Sequence, residues 1–386
     1  MIPIKAEVVC EKTLRYRIRC GGTEHILSAE SDRETKEITP VGTSISASAP
    51  AFIIFTSGST GHSKAVVLSA GSLINNLLDA APLGWYLPED IALGILPLQH
   101  VFGLVLLLGT FVLGYAVYFP RSTRAGMVLE DIERERITRM NGVPSLYLAL
   151  AREKGARELP SLRCGFIGGA PCTQEQFYRI EDTLGMTLIP AYGMSECVGI
   201  TCASYRDRRE DRAGSVGRFY PRNVGRIVEE NGEEAALYEE GEICVDGPAR
   251  MIGYFGETHR EPLLRTGDLG YLDERGFVHI SGRKKDIIIR NGINLSVRRI
   301  EEALLSVTEV SEAVVAGLPD PGTGEVPYAM VASGLLESEL LEKIRPVLRK
   351  NELPAGIFVT EEIPHTAAGK PDRGKIREVL LQWRNG

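Results

Sequence analysis

The chain contains no CxxC pair and no cysteine/histidine cluster. Its seven cysteines, at 10, 20, 164, 172, 197, 202 and 244, are odd in number and scattered, so they read as reduced thiols, and no zinc site is expected. Positive charge is not in excess either. Lys and Arg number 44 against 51 Asp and Glu, and the net charge of -7 gives no electrostatic case for nucleic acid or an anionic membrane surface. The opening MIPIKAEVVCEKTLRYRIRC lacks the basic start, apolar core and small-residue cleavage site of an export signal, so a cytoplasmic location is expected. Only Gly103 to Phe119, GLVLLLGTFVLGYAVYF, approaches a membrane span in hydropathy. Its marginal length, its glycines and its strand-like tail suit a core helix followed by a buried strand.

What is present is the composition of an ordinary globular protein, 44% hydrophobic and 25% charged, and 386 residues suggest roughly two or three domains. Residues 1–29 alternate weakly and suggest a small β-hairpin, and Glu30 to Pro50 reads as a polar linker. Apolar runs and helical patterns then alternate. Leu73, Leu77 and Leu78 mark a helix, ALGIL a strand, MVLEDIERERI a helix, LRCGFI a strand, TQEQFYRIEDTL a helix opened by a Thr173–Gln176 capping box, and TLIPAY a strand. This order predicts an α/β fold with a mostly parallel sheet, whose ligands sit at the carboxyl ends of strands. From Val216 the pattern turns β-rich, with GEICVDG and a hairpin around Asp273 to Gly276. Beyond Lys285 a smaller unit with helices and strands begins. The expected domains are residues 1–284, the β-rich part at about 214–284, and residues 285–386.

Several strand-to-loop junctions carry the chemistry. In Phe55 to Lys64, FTSGSTGHSK, the apolar run Ala51 to Phe55, expected to be a fully buried strand, empties into glycines, hydroxyls and a lysine suited to phosphate oxygens. No Gly-Lys-[Ser/Thr] follows, so it is not the Walker loop, and taken alone it is equally a solvated turn. Cys164 to Ala170, CGFIGGA, ends a strand in two glycines where a flat ring could lie. Ile189 to Glu196, IPAYGMSE, gathers an aromatic ring, a glycine, a hydroxyl and a carboxylate. Arg265 to Gly270, RTGDLG, offers an aspartate at a turn, suitable for a diol. SGRKKDIIIRNG and PHTAAGKPDR add basic residues near the C-terminal third.

In this order, over about residues 50–375, these segments resemble the adenylate-forming superfamily, in particular its acyl-CoA synthetase branch of AMP-dependent acid-thiol ligases. The resemblance implies attack of a carboxylate on the α-phosphate of ATP, giving an acyl-adenylate and pyrophosphate, followed by attack of a thiol and loss of AMP. Thr56, Ser57, Gly58, Ser59, Thr60, Gly61 and Lys64 match the phosphate grip, and Gly168, Gly169, Ala170 and Tyr192 the adenine slot. Gly193, Met194 and Ser195 match the segment beside the α-phosphate. Glu196, with Thr60, matches the Mg²⁺ ligands. Asp268, helped by Arg283, matches the ribose acceptor, and Lys370 the catalytic lysine of the first step. Lys285 falls at the family's hinge, and Gly292, Ile293 and Asn294 at the border of the thiol tunnel. Read singly, Tyr192 could be a core residue, Asp268 a turn former, and Lys285 and Lys370 surface charges.

Pro97 to Leu104, PLQHVFGL, resembles the acid-pocket segment of acyl- and aryl-CoA ligases, with His100 near the carboxylate or, alternatively, packed in the core. It lacks the aspartate that amino-acid-activating relatives use, which favours an acid without an α-amino group. Val101, Phe102, Gly193 and the NGVPSLY segment would line an apolar pocket for a fatty or aromatic acid. The implied ligands are ATP, Mg²⁺, a small carboxylic acid, and CoA or phosphopantetheine. An acyl carrier protein is the alternative acceptor, a non-catalytic nucleotide or acyl-adenylate binder the second alternative, and a homodimer stays open. Departures are a shortened region ahead of the phosphate loop, Ser63 and Ala65 for the usual Pro and Gly, and Val297 and Arg299 after the hinge. Short relatives occur among o-succinylbenzoate-CoA ligases. Replacement of Lys370 by alanine is expected to abolish adenylate formation yet leave thiolysis of a supplied acyl-adenylate largely intact. Equal loss of both half-reactions in parallel assays refutes that role.

Overall fold

The computed structural model describes residues 5–11, 13–20, 23–29, 46–56, 64–257, 261–366 and 371–385, the first three segments as backbone alone. In chain order the elements begin with β1 (Lys5–Glu11), β2 (Thr13–Cys20), β3 (Thr23–Ala29), β4 (Pro50–Thr56), β5 (Lys64–Ser69), α1 (Ala70–Leu83), β6 (Ile91–Leu93), α2 (Val101–Leu113), β7 (Ala116–Tyr118) and α3 (Ala125–Arg134). There follow β8 (Arg139–Met140), α4 (Pro144–Glu153), β9 (Cys164–Ile167), α5 (Gln174–Leu184), β10 (Thr187–Met194), β11 (Cys197–Cys202), α6 (Arg209–Gly214), β12 (Arg218–Phe219), β13 (Val224–Val228), β14 (Gly241–Asp246) and β15 (Gly253–Tyr254). The last are β16 (Leu264–Leu272), β17 (Val278–Arg283), β18 (Ile287–Arg290), β19 (Ile293–Ser296), α7 (Val297–Leu305), β20 (Val310–Asp320), β21 (Gly324–Ser333), α8 (Glu337–Ile344), β22 (Gly356–Thr360) and α9 (Arg373–Asn385).

The described residues fall into two compact units. One is drawn from 1–169, 177–225 and 245–264, the other from 170–176, 226–244 and 265–386. Strands β16 and β17 therefore group with the C-terminal residues, whereas the sequence motifs suggest a division near Lys285.

In the first unit the main sheet is ordered β1-β2-β3-β7-β6-β8-β9-β10-β11-β12. The strands from β3 to β10 pair in parallel, and both flanks are antiparallel. The parallel centre is what alternation of helix and strand requires, since each parallel neighbour needs a crossover. The segment before residue 30 is three antiparallel strands rather than a hairpin, with β3 joining β7 at Ser28 and Tyr118. Helix α1 starts where the Ser69 hydroxyl accepts from Ser72 N at 2.9 Å, and it buries Leu73 and Leu77, one turn apart. Leu78 points outward at 46% exposure. The capping box on α5 forms as expected, with Gln176 N donating to Thr173 Oγ1 and Thr173 N to Gln176 Oε1, both at 3.2 Å. The apolar run 103–119 is indeed a helix, α2, and a strand, β7, though only Val117 of that strand is buried, and no described helix is long and apolar enough to cross a membrane.

The amino ends of three neighbouring parallel strands are tied by one buried carboxylate. Asp90, just before β6, accepts from Leu87 N at 2.8 Å, from Thr138 Oγ1 at 2.7 Å, from Arg139 Nη1 at 3.4 Å and from Arg163 Nη2. Arg139 opens β8, Thr138 precedes it, and Arg163 precedes β9. Arg139 is fully buried, its guanidinium 3.4 Å from the Tyr86 ring centroid, and it also donates to Gly84 O and Trp85 O.

A second sheet, ordered β15-β5-β4, leaves β4 at its edge. The run Ala51 to Phe55 is consequently not buried throughout. Ile54 is 4% exposed, but Ile53 and Phe55 are 49% and 67% exposed, because an edge strand of a small sheet has one face to cover.

In the second unit β13-β14-β16-β17 form one sheet and β19-β18-β21-β20, with β22 on β21, another. The β16–β17 turn is built as expected at Asp273, whose Oδ1 accepts from Arg275 N and Phe277 N at 3.0 and 2.8 Å. Strand alternation gives the C-terminal sheet two apolar faces. Val315 and Val331 pack with Ile300 and Leu340 of α7 and α8, whereas Val314 and Met330 pack with Ile376 and Leu380 of α9.

Asp90→Ala should strand Arg139 as an uncompensated buried cation and destabilise the first unit by about 3–5 kcal/mol. Trp85 lies in the first unit and Trp383 in the second. Urea denaturation followed by fluorescence in a Trp383→Phe background reads this directly, and an unchanged midpoint contradicts it.

Candidate functional site

Strands β9 and β10 run side by side, with Ile167 opposite Pro190. Past their carboxyl ends come Gly168 and Gly169 on one and Tyr192 on the other. A Cβ on Gly168 would stand 2.4 Å from Ala191 O, so the close approach of β10 excludes every other residue there. That side of Gly168 is occupied by protein backbone, and the surface left for a planar ring is the neighbouring Gly169, which is exposed, and the half-buried Tyr192. Ala170 follows in the chain, half-buried.

The IPAYGMSE segment does not open into a loop as the sequence suggests. Met194 pairs with Cys197, and Ser195 and Glu196 form the two-residue connection of an antiparallel hairpin. The returning strand, CVGITC, is buried throughout, which is why it continues the sheet rather than leaving it. Gly193 sits in a bulge between Tyr192 and Met194, where a Cβ would meet Val198 O at 2.5 Å. The bulge and turn fix the direction of Ser195 and Glu196.

Glu196 is 9% exposed and held twice by one segment. Met251 N donates to its carbonyl at 2.8 Å, and the Tyr254 hydroxyl donates to its Oε1 at 2.9 Å. Tyr254 lies on β15 opposite Val66 of β5, and the Lys64 ammonium sits 4.3 Å from its ring centroid. Lys64 in turn pairs with Thr56, whose hydroxyl lies 3.4 Å from Lys64 O. Burial and the Glu196 carboxylate both raise the Tyr254 pKa, so the phenol stays protonated and acts as donor. One tyrosine thus joins the lysine and the carboxylate that sequence motifs single out separately. Sequence reasoning missed Tyr254, whose only signal is an aromatic pair between glycines in IGYFG.

Glu196 is a fit for Mg²⁺ of a particular kind. Among the described residues no group of three or more His, Cys, Asp or Glu side chains gathers, and the hard carboxylate of Glu196 suits an ion that takes most ligands from phosphates and water. Thr60, with Ser57, Gly58, Ser59, Gly61 and the catalytic candidate Lys370, lies outside the described residues. The thiols nearby are no nucleophiles. Burial pushes Cys197 and Cys202 up to about 12, and both are free, as are Cys164, Cys172 and Cys244.

His100 stands at the entry to α2, its N–H donating to Pro97 O at 3.2 Å and its carbonyl accepting from Leu104 N at 2.9 Å. Phe102 packs against a buried cluster that includes Phe166 and Ile189 of β9 and β10, while Val101 turns inward at 9% exposure. NGVPSLY is core rather than pocket lining at its most conspicuous residue. Tyr147 is fully buried, its hydroxyl 2.9 Å from Met140 O and 3.0 Å from Phe166 O, because the sheet's last carbonyls need a donor there.

The second unit holds the remaining candidates. Asp268 is not at a turn. It lies within β16 directly opposite Arg283 of β17, whose Nε donates to its Oδ1 at 2.5 Å. The extended pairing places the two side chains on one face, which a turn would not. Asp268 is 4% exposed and its N–H donates to Thr266 Oγ1 at 3.1 Å. Glu242, unremarked in the sequence, supports this strand by accepting from Gly267 N at 3.0 Å and Arg265 Nε at 2.9 Å, with Lys284 Nζ at 3.5 Å. Asn291 and Gly292, with φ of 53° and 74°, make the tight β18–β19 turn, and Ile293 and Asn294 are exposed beyond it. A cleft of about 380 Å³ is lined by Glu242, Arg283, Lys284, Asp286, Asn294 and Ser296 among others, bringing Arg283 and Asn294 into one cavity. Lys285 is exposed in the turn between β17 and β18.

The fold is that of an α/β protein built on a mostly parallel central sheet. A family model described as "AMP-binding enzyme" matches residues 5–255, and one described as "AMP-binding enzyme C-terminal domain" matches residues 299–370. The chain belongs to the AMP-binding enzyme family. It is 33% identical over 344 residues to a long-chain-fatty-acid–CoA ligase of Bacillus subtilis, with 85% of this chain and 61% of the relative covered. To a 2-succinylbenzoate–CoA ligase of Bacillus cereus it is 32% identical over 337 residues, covering 85% of this chain and 70% of that one. The solved o-succinylbenzoate coenzyme A synthetase of Bacillus subtilis in complex with ATP and a magnesium ion superposes with a TM-score of 0.76 at 30% identity, over 92% of this chain and 73% of that chain.

The balance at Glu242 predicts a pH dependence. Burial alone would raise its pKa, but hydrogen bonds from Arg265 and Gly267 and the charges of Arg265 and Lys284 outweigh it, and the folded value lies below the ordinary 4.5. A depressed carboxylate contributes stability that is complete above the unfolded pKa and is lost as pH falls through the folded one. Glu242→Gln should therefore destabilise the second unit at pH 7, and the gap to wild type should close below pH 4.5. Denaturation midpoints of the two proteins across pH 3 to 7 test it, and a gap that persists at the acid end contradicts it.

Proposed function

We propose that this protein activates a carboxylic acid with ATP to an acyl-adenylate and transfers the acyl group to the thiol of CoA, releasing pyrophosphate and AMP. The observation that carries this reading is the Lys64–Tyr254–Glu196 assembly at the base of the phosphate-loop hairpin. It holds a cation for phosphate and a buried carboxylate for a hard metal ion on one rigid ring.

The chemical need is a leaving group, since a carboxylate is a poor acyl donor at neutral pH. In the first step a carboxylate oxygen bonds to the α-phosphorus and the bond to pyrophosphate breaks. Lys64, with the Thr56 to Gly61 loop, grips the departing phosphates. Glu196, with Thr60, would hold Mg²⁺, which neutralises phosphate charge when bound. Gly168, Gly169, Ala170 and Tyr192 bind adenine, Gly193, Met194 and Ser195 border the α-phosphate, and Asp268 with Arg283 takes the ribose diol. Lys370 offsets the charge that develops between carboxylate and α-phosphate. In the second step the thiolate attacks the acyl carbon and the tetrahedral centre collapses with loss of AMP. Gly292, Ile293 and Asn294 border the thiol's path, and Lys285 is the pivot between steps.

The acid is fatty or aromatic and lacks an α-amino group. Support comes from the apolar Phe102 packed against the cluster that holds Phe166, and from the absence of an acidic residue in PLQHVFGL, where a buried ammonium would find no partner. His100 gates the pocket or faces the carboxylate.

A panel of fatty and aromatic acids with ATP and Mg²⁺, followed by pyrophosphate release with and without CoA, should give release and then acyl-CoA for at least one member. Nucleotide binding with no pyrophosphate from any acid refutes catalysis. Pyrophosphate release never followed by acyl-CoA moves the acceptor to a carrier-protein phosphopantetheine.

A further inference from the structure

We infer that Tyr254 is a positioning residue that sets the Mg²⁺ affinity of the nucleotide site by orienting Glu196, while its ring independently seats Lys64. The inference rests on the reading of Glu196 and Lys64 given above and adds a residue that no motif assigns.

Three observations in the first unit carry it. Glu196 is clamped from one short segment at two points, through Met251 N to its carbonyl and the Tyr254 hydroxyl to Oε1, so main chain and side chain are oriented together. The same segment is registered on the lysine's strand, with Gly253 opposite Val67, Tyr254 opposite Val66, and Phe255 N donating to Ala65 O at 2.8 Å. Finally, the Lys64 ammonium lies over the face of the ring whose hydroxyl reaches Glu196. The tyrosine therefore has two separable functions. Its hydroxyl fixes the rotamer of an acceptor-only carboxylate by occupying one oxygen, as second-sphere donors do for metal-ligating groups. Its π-face attracts the ammonium and keeps it from folding onto the adjacent carboxylate, which would cancel the charge meant for phosphate.

Two substitutions separate these functions. Tyr254→Phe keeps the ring and loses the donor, and Tyr254→Leu loses both. ATP binding is measured by isothermal titration calorimetry without Mg²⁺ and across a Mg²⁺ series, with thermal unfolding as the control for folding. Tyr254→Phe should bind ATP without Mg²⁺ about as wild type does, and the Mg²⁺ concentration that gives half of the metal-induced gain should rise about tenfold. Tyr254→Leu should share that shift and also weaken metal-free ATP binding several-fold. A Tyr254→Phe protein with wild-type Mg²⁺ dependence overturns the inference. So does one whose metal-free and metal-dependent binding fall together with its melting temperature, since that marks a scaffold residue. If wild type shows no Mg²⁺-induced gain at all, the assignment of Glu196 fails first, and this inference falls with it.

Discussion

The buried carboxylate of Asp90 does for this fold what hydrogen-bonded turns do for smaller ones. Three parallel strands begin beside it, and the donors that reach it come from the residues that open or precede them: Leu87, Thr138, Arg139 and Arg163. Parallel strands have no hairpins to set their stagger, so a shared anchor at their amino ends fixes it instead. With that end locked by charge, the opposite ends are free to differ. There the sheet gives up regular pairing for glycines, a bulge and a tight hairpin, and every adenine and α-phosphate candidate of the first unit lies there. Rigidity at one edge and irregularity at the other are two aspects of the same design, in which exposed strand-end residues are carried by a tied scaffold.

The second unit repeats the principle with different means. Asp268 and Arg283 face each other across two strands, and Glu242 on the next strand supports both the backbone of Gly267 and the side chain of Arg265. The Asp268 carboxylate is thus held by main-chain pairing, and its partner arginine remains largely exposed. In the C-terminal sheet the buried Glu301 receives both Arg373 and Val315 N, which ties α7, β20 and the start of α9 together. Burial drives the Glu301 pKa up against the opposing pull of Arg373.

Periodicity made most elements legible, because helices here bury one face and parallel strands are apolar runs. The capping box at Thr173 and the helix-then-strand reading of the apolar stretch from Gly103 rested on local chemistry that tertiary structure did not override. What escaped was set by neighbours distant in sequence. Phe55 looks like core and is exposed, because β4 happens to be an edge strand. Asp268 looks like a turn residue beside glycine, and its strand appears only once β17 is laid against it. Tyr147 looks like pocket lining and is a carbonyl-binding core residue. The order of motifs identified the family and named Lys64 and Glu196, but nothing in their spacing said that one tyrosine would stand between them.

That tyrosine also has a place in time. The first unit is discontinuous along the chain, and β15 reaches back to pair with β5 across most of the unit's length, after the chain has passed through residues grouped with the second. Closing so long a loop is entropically costly and slow relative to local hairpins. As the chain leaves the ribosome, Lys64 and the strands of the main sheet can take shape early, while Glu196 waits for Met251 and Tyr254. The Lys64–Tyr254–Glu196 cluster is therefore among the last parts of its unit to mature, and a partly synthesised chain carries Lys64 without the clamp on Glu196.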